Sequence, residues 1–172
     1  MQLLGRLPAT IRRPILIVQH MPPTFTSILA ASISKQSSWP CQEAVDGEEI
    51  QNGRAYIAPG GVHMVIEAEG TRKLIRLNDD PPVHFCRPAV DPLFSSIAKV
   101  YGRHSLAVVL TGMGEDGVKG CQAIVEAGGA VIAQDEDTSV VWGMPGAVAT
   151  AGLCRAVLPA KEIAPFMREY AI

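Results

Sequence analysis

Residues 106–117 read Leu-Ala-Val-Val-Leu-Thr-Gly-Met-Gly-Glu-Asp-Gly. The apolar run 106–111 predicts a strand, and the glycine-rich turn after it leads into a helical pattern at 118–126 that stops before Gly128. A continuous apolar run, rather than an alternating one, is typical of a strand covered on both faces. This stretch therefore predicts a strand, a tight turn and a helix, which is the repeating unit of a parallel α/β sheet.

The same alternation extends along the rest of the chain. Further strands are predicted at 15–19, 55–58 and 130–134, and further helices at 1–7, 24–35, 88–100 and 163–170. Thr24 is the predicted N-cap of the second of these helices. Two runs at 62–67 and 72–77 flank Gly70 and predict an antiparallel hairpin. We predict one domain, an α/β fold with a doubly wound, mostly parallel sheet flanked by helices and one antiparallel hairpin.

Composition excludes several classes of protein. The chain has 172 residues, 48% of them hydrophobic, and 15 Lys and Arg residues against 17 Asp and Glu residues give a net charge of -2. A protein that binds nucleic acid by neutralising phosphates is not expected at this charge. No stretch approaches the roughly 20 uncharged apolar residues that span a bilayer, so we expect no membrane insertion. The scattered thiols described next indicate a cytoplasmic protein.

Neither the cysteines nor the histidines have the spacing of a metal site. The four residues of each kind are scattered along the chain, and there is no Cys-x-x-Cys pair. We therefore expect reduced thiols, no metal and no cofactor.

The turn after the strongest strand has two functional interpretations and a structural one. Gly112, Gly114 and Gly117 fit the dinucleotide spacing Gly-x-Gly-x-x-Gly, but Glu115 and Asp116 would repel a pyrophosphate. The turn instead favours an oxyanion site built from amide N–H groups, together with a carboxylate that orients a histidine. The structural alternative is a glycine-rich turn in which Asp116 caps the next helix.

His20 is the candidate partner of that carboxylate. It follows the first predicted strand in Gln-His-Met-Pro, and the carboxyl ends of parallel strands face the ligand crevice of an open α/β sheet. A structural role, hydrogen-bonded to a loop carbonyl before Pro22, is the alternative. His63 and Arg87 also lie beside predicted strand ends, where substrate binding and loop packing explain them equally well.

Several short motifs, in a fixed order, resemble one family. They are Gln-His-Met-Pro at 19–22, Phe-Thr at 25–26, Glu-Ala-x-Asp-Gly-Glu at 43–48, Tyr-Ile-Ala-Pro-Gly-Gly-x-His at 56–63, Arg-Pro-x-Val-Asp at 87–91, Leu-Thr-Gly-Met-Gly-x-Asp-Gly at 110–117, Ala-Gln-Asp-Glu at 133–136 and Gly-Met-Pro at 143–145. Together they resemble the catalytic domain of the bacterial chemotaxis protein-glutamate methylesterases, the CheB family, over essentially the whole chain.

The resemblance implies a hydrolase with a Ser-His-Asp triad. Such enzymes hydrolyse glutamate methyl esters on the cytoplasmic helices of methyl-accepting chemoreceptors, and many also deamidate receptor glutamines. By resemblance His20 is the general base, Asp116 is the acid that orients it, and the backbone around Met113 helps to form the oxyanion hole. A receiver domain is a further candidate partner, because many family members carry one.

The chain departs from the family pattern at the nucleophile. The family serine lies in a Ser-Thr-Gly-Gly turn after an earlier strand, and neither that first strand nor that turn is found in residues 1–172. No serine here has the flanking glycines of a nucleophile elbow. We expect the chain by itself to be almost inactive and less stable, or prone to edge-to-edge association. The alternatives are a non-catalytic module that binds receptors or signalling partners and, more distantly, a dinucleotide-binding protein.

Overall fold

The computed structural model describes residues 2–8 and 10–171. Its helices are α1 (Gln2–Arg6), α2 (Phe25–Gln36), α3 (Val90–Tyr101), α4 (Val118–Glu126), α5 (Met144–Thr150) and α6 (Ala160–Ala171). Its strands are β1 (Ile15–Ile17), β2 (Cys41–Glu43), β3 (Ala55–Ile57), β4 (His63–Glu69), β5 (Arg72–Asn78), β6 (Leu106–Val109), β7 (Ala130–Gln134) and β8 (Ala156–Leu158). A short 3-10 helix, Gly102–His104, follows α3.

The parallel strands form two separate sheets. β3 lies between β1 and β2, with Ile15 opposite Ala55, and β7 lies between β6 and β8, with Leu106 opposite Ala130. β4 and β5 form the antiparallel hairpin predicted around Gly70. These pairings confirm the predicted α/β class, with mostly parallel strands and one hairpin.

A cavity of about 660 Å³ lies between the two parallel sheets. β1 and β6 both line it, together with apolar side chains that include Leu4, Leu7, Phe94 and Ile97. Among the described residues, no strand pairs with the edge of β1 or of β6 that faces away from its own sheet. Both strands are therefore edge strands that border the cavity.

Burial separates the parallel strands into two kinds. Every residue of β3 and β7 is buried, as expected for strands with a neighbour on each side. By contrast, β1 is only half-buried throughout, and buried and half-buried positions alternate along β6. Side chains of β1 pack on both of its faces, Ile15 and Ile17 against one apolar cluster and Leu16 against another, so the half-buried state of β1 reflects its open edge beside the cavity.

Local sequence signals also mislead at a few positions. β2 and β8 are three residues long and α5 is seven, too short for a recognisable hydrophobic period, and none of them is predicted. Thr24 occupies the predicted N-cap position of α2, but its φ is 76° and its side chain makes no capping hydrogen bond. Residue 1 of the predicted helix 1–7 lies outside the described residues.

None of the helices that the structure describes is long and apolar enough to cross a membrane.

Candidate active site

The two residues singled out after separate strands, His20 and Asp116, are in direct contact. His20 follows β1 and Asp116 lies in the loop between β6 and α4, so the carboxyl ends of two parallel strands bring them together. His20 Nε2 lies 2.7 Å from Asp116 Oδ2. The side chain of Asp116 is 2% exposed and that of His20 is 24% exposed, so the pair joins a buried carboxylate to an imidazole that solvent can reach.

Backbone N–H groups hold the other side of the Asp116 carboxylate. Val90 N–H donates to Oδ2 at 2.6 Å and Asp91 N–H donates to Oδ1 at 3.0 Å. Burial by itself raises the pKa of Asp116, but the hydrogen bonds from His20, Val90 and Asp91 outweigh it and keep the pKa below its ordinary value. Asp116 is therefore charged at neutral pH and fixed in orientation.

Asp91 completes a reciprocal arrangement between two helices. Asp116 accepts from the first N–H groups of α3, while Asp91, in the first turn of α3, accepts from Gly117 at 3.0 Å and from Gly120 at 2.8 Å at the start of α4. Asp116 thus caps α3, the helix that carries Asp91, and Asp91 caps α4, the helix that follows Asp116. The structural alternative for Asp116, a cap on the helix it precedes, is wrong, because it caps α3 instead.

Sequence reasoning does not identify Asp91 as part of the site. The only signal is an acidic residue in the first turn of a helix, beside Pro88, and such a residue is common at any helix start. Its role depends on how α3 packs against α4, two elements whose contact no local pattern reveals. His84, described below with Asp91, is missed for the same reason.

Met113 lies in the same loop as Asp116, three residues earlier, and its side chain points into solvent. The loop is anchored beside Met113, because Gly112 N–H donates to Val141 O at 3.0 Å and Met144 N–H donates to Gly112 O at 2.8 Å. Met113 N–H donates to no residue within 2–8 and 10–171. Among the described residues, the loop that carries Asp116 therefore leaves the backbone donor of Met113 without a partner.

His63 and Arg87 have structural partners. His63 is buried, its Nε2 lies 3.1 Å from Pro81 O, and its Nδ1 accepts from Ala89 N–H at 3.2 Å. Arg87 donates to the backbone carbonyls of Asp79 and Asp80 at 2.8 and 3.2 Å. These contacts favour loop packing over substrate binding for both residues.

His20 also lines the cavity between β1 and β6. Within the described part of the chain, Asp116 is the only side chain hydrogen-bonded to His20. Its Nδ1 is therefore the nitrogen available to a reacting hydroxyl or water. A hydrogen-bonded imidazole and carboxylate, with the imidazole lining a cavity, are two of the groups that an acyl-transfer site needs.

Comparison with known proteins points to one family. A family model described as CheB methylesterase matches residues 1–167. The chain is 62% identical over 98% of its length to a protein-glutamate methylesterase/protein-glutamine glutaminase 1 of Paramagnetospirillum magneticum, and 56% identical over 99% of its length to a protein-glutamate methylesterase/protein-glutamine glutaminase of Azospirillum brasilense. It spans 44% and 43% of those two relatives.

A solved structure has the same fold. The crystal structure of the Thermotoga maritima CheB methylesterase catalytic domain superposes with a TM-score of 0.94 at 41% sequence identity. The match covers 96% of this chain and 88% of that domain. The similarity therefore extends over nearly the whole chain.

Proposed function

Because this chain belongs to the CheB methylesterase family, we propose that it hydrolyses glutamate methyl esters of chemoreceptors by a Ser-His-Asp triad. Glutamine deamidation is the second reaction of this site, since the relatives named above are called both methylesterase and glutaminase. The observation that supports the proposal best is the 2.7 Å hydrogen bond between His20 and Asp116 at the carboxyl ends of β1 and β6.

The proposed chemistry follows from that pair. His20 Nδ1 takes the proton of the attacking hydroxyl, and the charged Asp116 stabilises the imidazolium that forms at Nε2. The alkoxide attacks the ester carbonyl, and Met113 N–H donates to the oxygen that becomes negative. His20 then returns the proton to the leaving methoxide, which departs as methanol, and a water repeats the sequence on the acyl-enzyme. An amide substrate loses ammonia at the same step.

We assign the nucleophile to a segment outside residues 1–172 that occupies the cavity between β1 and β6. A single extended strand there would pair with both exposed edges and join the two sheets into one. If it runs parallel to its neighbours, its carboxyl end emerges at the same edge as His20. A serine in the turn after that strand would then face Nδ1. Residues 1–172 are in this proposal a methylesterase domain without its first strand and nucleophile turn.

The substrate lies in the cytoplasmic helices of methyl-accepting chemoreceptors, so the protein acts in the cytoplasm. A receiver domain is a candidate regulatory partner. The proposal needs no cofactor, because every step is a proton transfer or an acyl transfer. The exposure of Met113 and of one side of His20 supports the proposal, because an ester on a receptor helix must reach both residues from solvent.

Methanol release tests the proposal. The native polypeptide and residues 1–172 produced alone are incubated with a receptor cytoplasmic fragment carrying isotopically labelled methyl esters, and volatile label is counted. We expect release by the native polypeptide and almost none by residues 1–172. Binding of the receptor fragment by the native polypeptide without any release of methanol would instead establish the non-catalytic module. A calorimetric titration with NAD, expected to give no binding, tests the dinucleotide alternative.

Gly143→Ala tests the role of the Met113 backbone. A Cβ at position 143 would lie 2.7 Å from Gly112 O, 2.9 Å from Gly114 N and 3.1 Å from Met113 Cα, all of them backbone atoms. The loop must therefore move, and since misplacement by about 1 Å can cost about 100-fold in rate, we expect kcat to fall about 100-fold with KM little changed. Gly5→Ala is the matched control, because its Cβ would meet only Gln36 O at 3.9 Å. Equal kcat values for the two variants would remove Met113 from the mechanism.

A further inference from the structure

One buried carboxylate oxygen, Oδ2 of Asp91, takes part in no hydrogen bond of the site described above. Asp91 is 6% exposed, and its Oδ1 accepts from Gly117 and Gly120, but its Oδ2 has no hydrogen-bond partner among the described residues. Asp116, a second buried carboxylate, lies beside it. A buried carboxylate oxygen without a hydrogen-bond partner destabilises the folded protein. A positive charge facing Asp91 Oδ2 would offset that destabilisation.

His84 supplies a nitrogen at the same place. Its Nε2 lies 3.3 Å from Asp91 Oδ2, yet this pair does not have hydrogen-bond geometry, and charge-assisted hydrogen bonds are normally about 2.7–2.9 Å long. Two ligand atoms that are each about 2.0–2.1 Å from one tetrahedral zinc ion stand roughly 3.3 Å apart. The separation therefore fits two ligands of one ion better than a direct ion pair.

Asp116 supplies the third ligand. One ligand atom from each of His84, Asp91 and Asp116 falls within 4.8 Å of the others. The His84 side chain is 30% exposed, which gives an ion a route from solvent, and the exposed Glu115 carboxylate lies 3.9 Å from His84 Nδ1 and adds negative charge at the entrance. These three protein ligands, one nitrogen and two oxygens, leave the fourth position of a tetrahedral ion for a water molecule.

We propose that His84, Asp91 and Asp116 form a binding site for a divalent transition-metal ion, with zinc as its best occupant, and that the bound ion inhibits hydrolysis. The imidazole favours zinc over magnesium or calcium, which prefer oxygen ligands. Inhibition follows because the ion and the His20 imidazolium draw on the same Asp116 carboxylate. The sequence alone predicts no metal here, since the three ligands come from different segments. Binding of the ion does not depend on the proposed hydrolysis; only the inhibition rests on it.

Cys86, beside His84 in the same loop, is an unsuitable alternative ligand. Its sulfur is not among the ligand atoms that lie within 4.8 Å of one another at this place, which are those of His84, Asp91 and Asp116. A zinc site in this loop should therefore tolerate the loss of the sulfur.

Calorimetric titration of the metal-free protein with zinc chloride tests the site without any enzyme assay. We expect one ion per chain, and at least a tenfold weaker affinity, about 1.4 kcal/mol, in His84→Asn and in Asp91→Asn. Both variants are chosen to fold: Asn tolerates the left-handed φ of 49° at position 84, and at position 91 its side-chain oxygen still accepts from Gly117 and Gly120. Circular dichroism of the metal-free variants verifies this.

Two matched controls complete the experiment. His104→Asn removes an exposed histidine elsewhere, and Cys86→Ser removes the neighbouring sulfur; both should bind zinc with unchanged affinity. In the methanol assay, zinc should inhibit the native polypeptide reversibly, with inhibition lost in His84→Asn. No binding, equal affinity in His84→Asn, or loss of binding in Cys86→Ser would overturn the site. Binding at these ligands without inhibition would retain the site and overturn the coupling to Asp116.

Discussion

Asp116→Asn is expected to lower kcat for methyl-ester hydrolysis by about 10⁴-fold, measured as methanol release by the native polypeptide under substrate saturation. Val90 N–H donates to Oδ2 and Asp91 N–H donates to Oδ1, so the single amide oxygen of Asn keeps one of these two hydrogen bonds and loses the other. What is lost is the charge opposite His20 Nε2 and the acceptor that holds a proton on that nitrogen. Without them the ring is in the wrong tautomer and the imidazolium is not stabilised.

His20→Ala should reduce kcat by a similar factor, and the double variant should be little worse than either single one, because the two residues act as one unit. Asp137→Asn is the matched control, since Asp137 is an exposed acidic residue in the loop after β7 and contacts no member of the pair. A fall of less than tenfold in both Asp116→Asn and His20→Ala, with KM and thermal stability unchanged, would exclude the triad assignment. A loss of kcat that accompanies unfolding would show a structural role, so the melting temperature of each variant is measured.

The meeting of His20 and Asp116 is predictable because it depends on one general property of parallel sheets. Each residue lies just after an apolar strand, and the carboxyl ends of such strands share one edge. Predicting this contact requires only the positions of the two strands and no knowledge of individual side-chain contacts. The strands at 55–58 and 130–134 are predictable for a related reason, since a strand buried on both faces has a continuous apolar pattern.

What the sequence does not reveal depends on contacts between distant segments. The reciprocal caps join Asp91 and Asp116 across 25 positions, and each residue alone looks like an ordinary acidic residue at a helix start. Thr24 occupies the N-cap position of α2, but in its left-handed backbone conformation its side chain makes no capping hydrogen bond. The half-buried state of β1 follows from its place beside the cavity, which its own residues do not encode.

The last prediction concerns the individual backbone amides that point into the cavity between β1 and β6. In a parallel ladder the N–H and C=O of one residue point to the same side, and alternate residues point to opposite sides. Ile15 N–H donates to Arg54 O, and Ser105 O accepts from Ala130 N–H, so these residues face their own sheets. Leu16, Leu106 and Val108 therefore direct their backbone groups towards the cavity.

A strand inserted in the cavity should slow hydrogen exchange at these three amides selectively. The probe is a synthetic peptide copied from the strand and serine turn of a family member, added to residues 1–172. At a peptide concentration of one thousand times its Kd, we expect about a thousandfold slower exchange, about 4.1 kcal/mol of added protection. Exchange is followed by NMR. The amides of Ile15 and Ala107, which point towards neighbouring strands, are internal controls and should change less.

A peptide with proline at its central position is the matched control, because it lacks the N–H that the ladder needs. Without peptide, the exposed edges of β1 and β6 should cause concentration-dependent association of residues 1–172, detectable by sedimentation, and the unmodified peptide should reverse it. Equal protection by the proline peptide would mean that apolar contact rather than strand pairing fills the cavity. Unchanged exchange at Leu16, Leu106 and Val108 at saturating peptide would exclude a strand from the cavity, and the nucleophile would then have to reach His20 by another route.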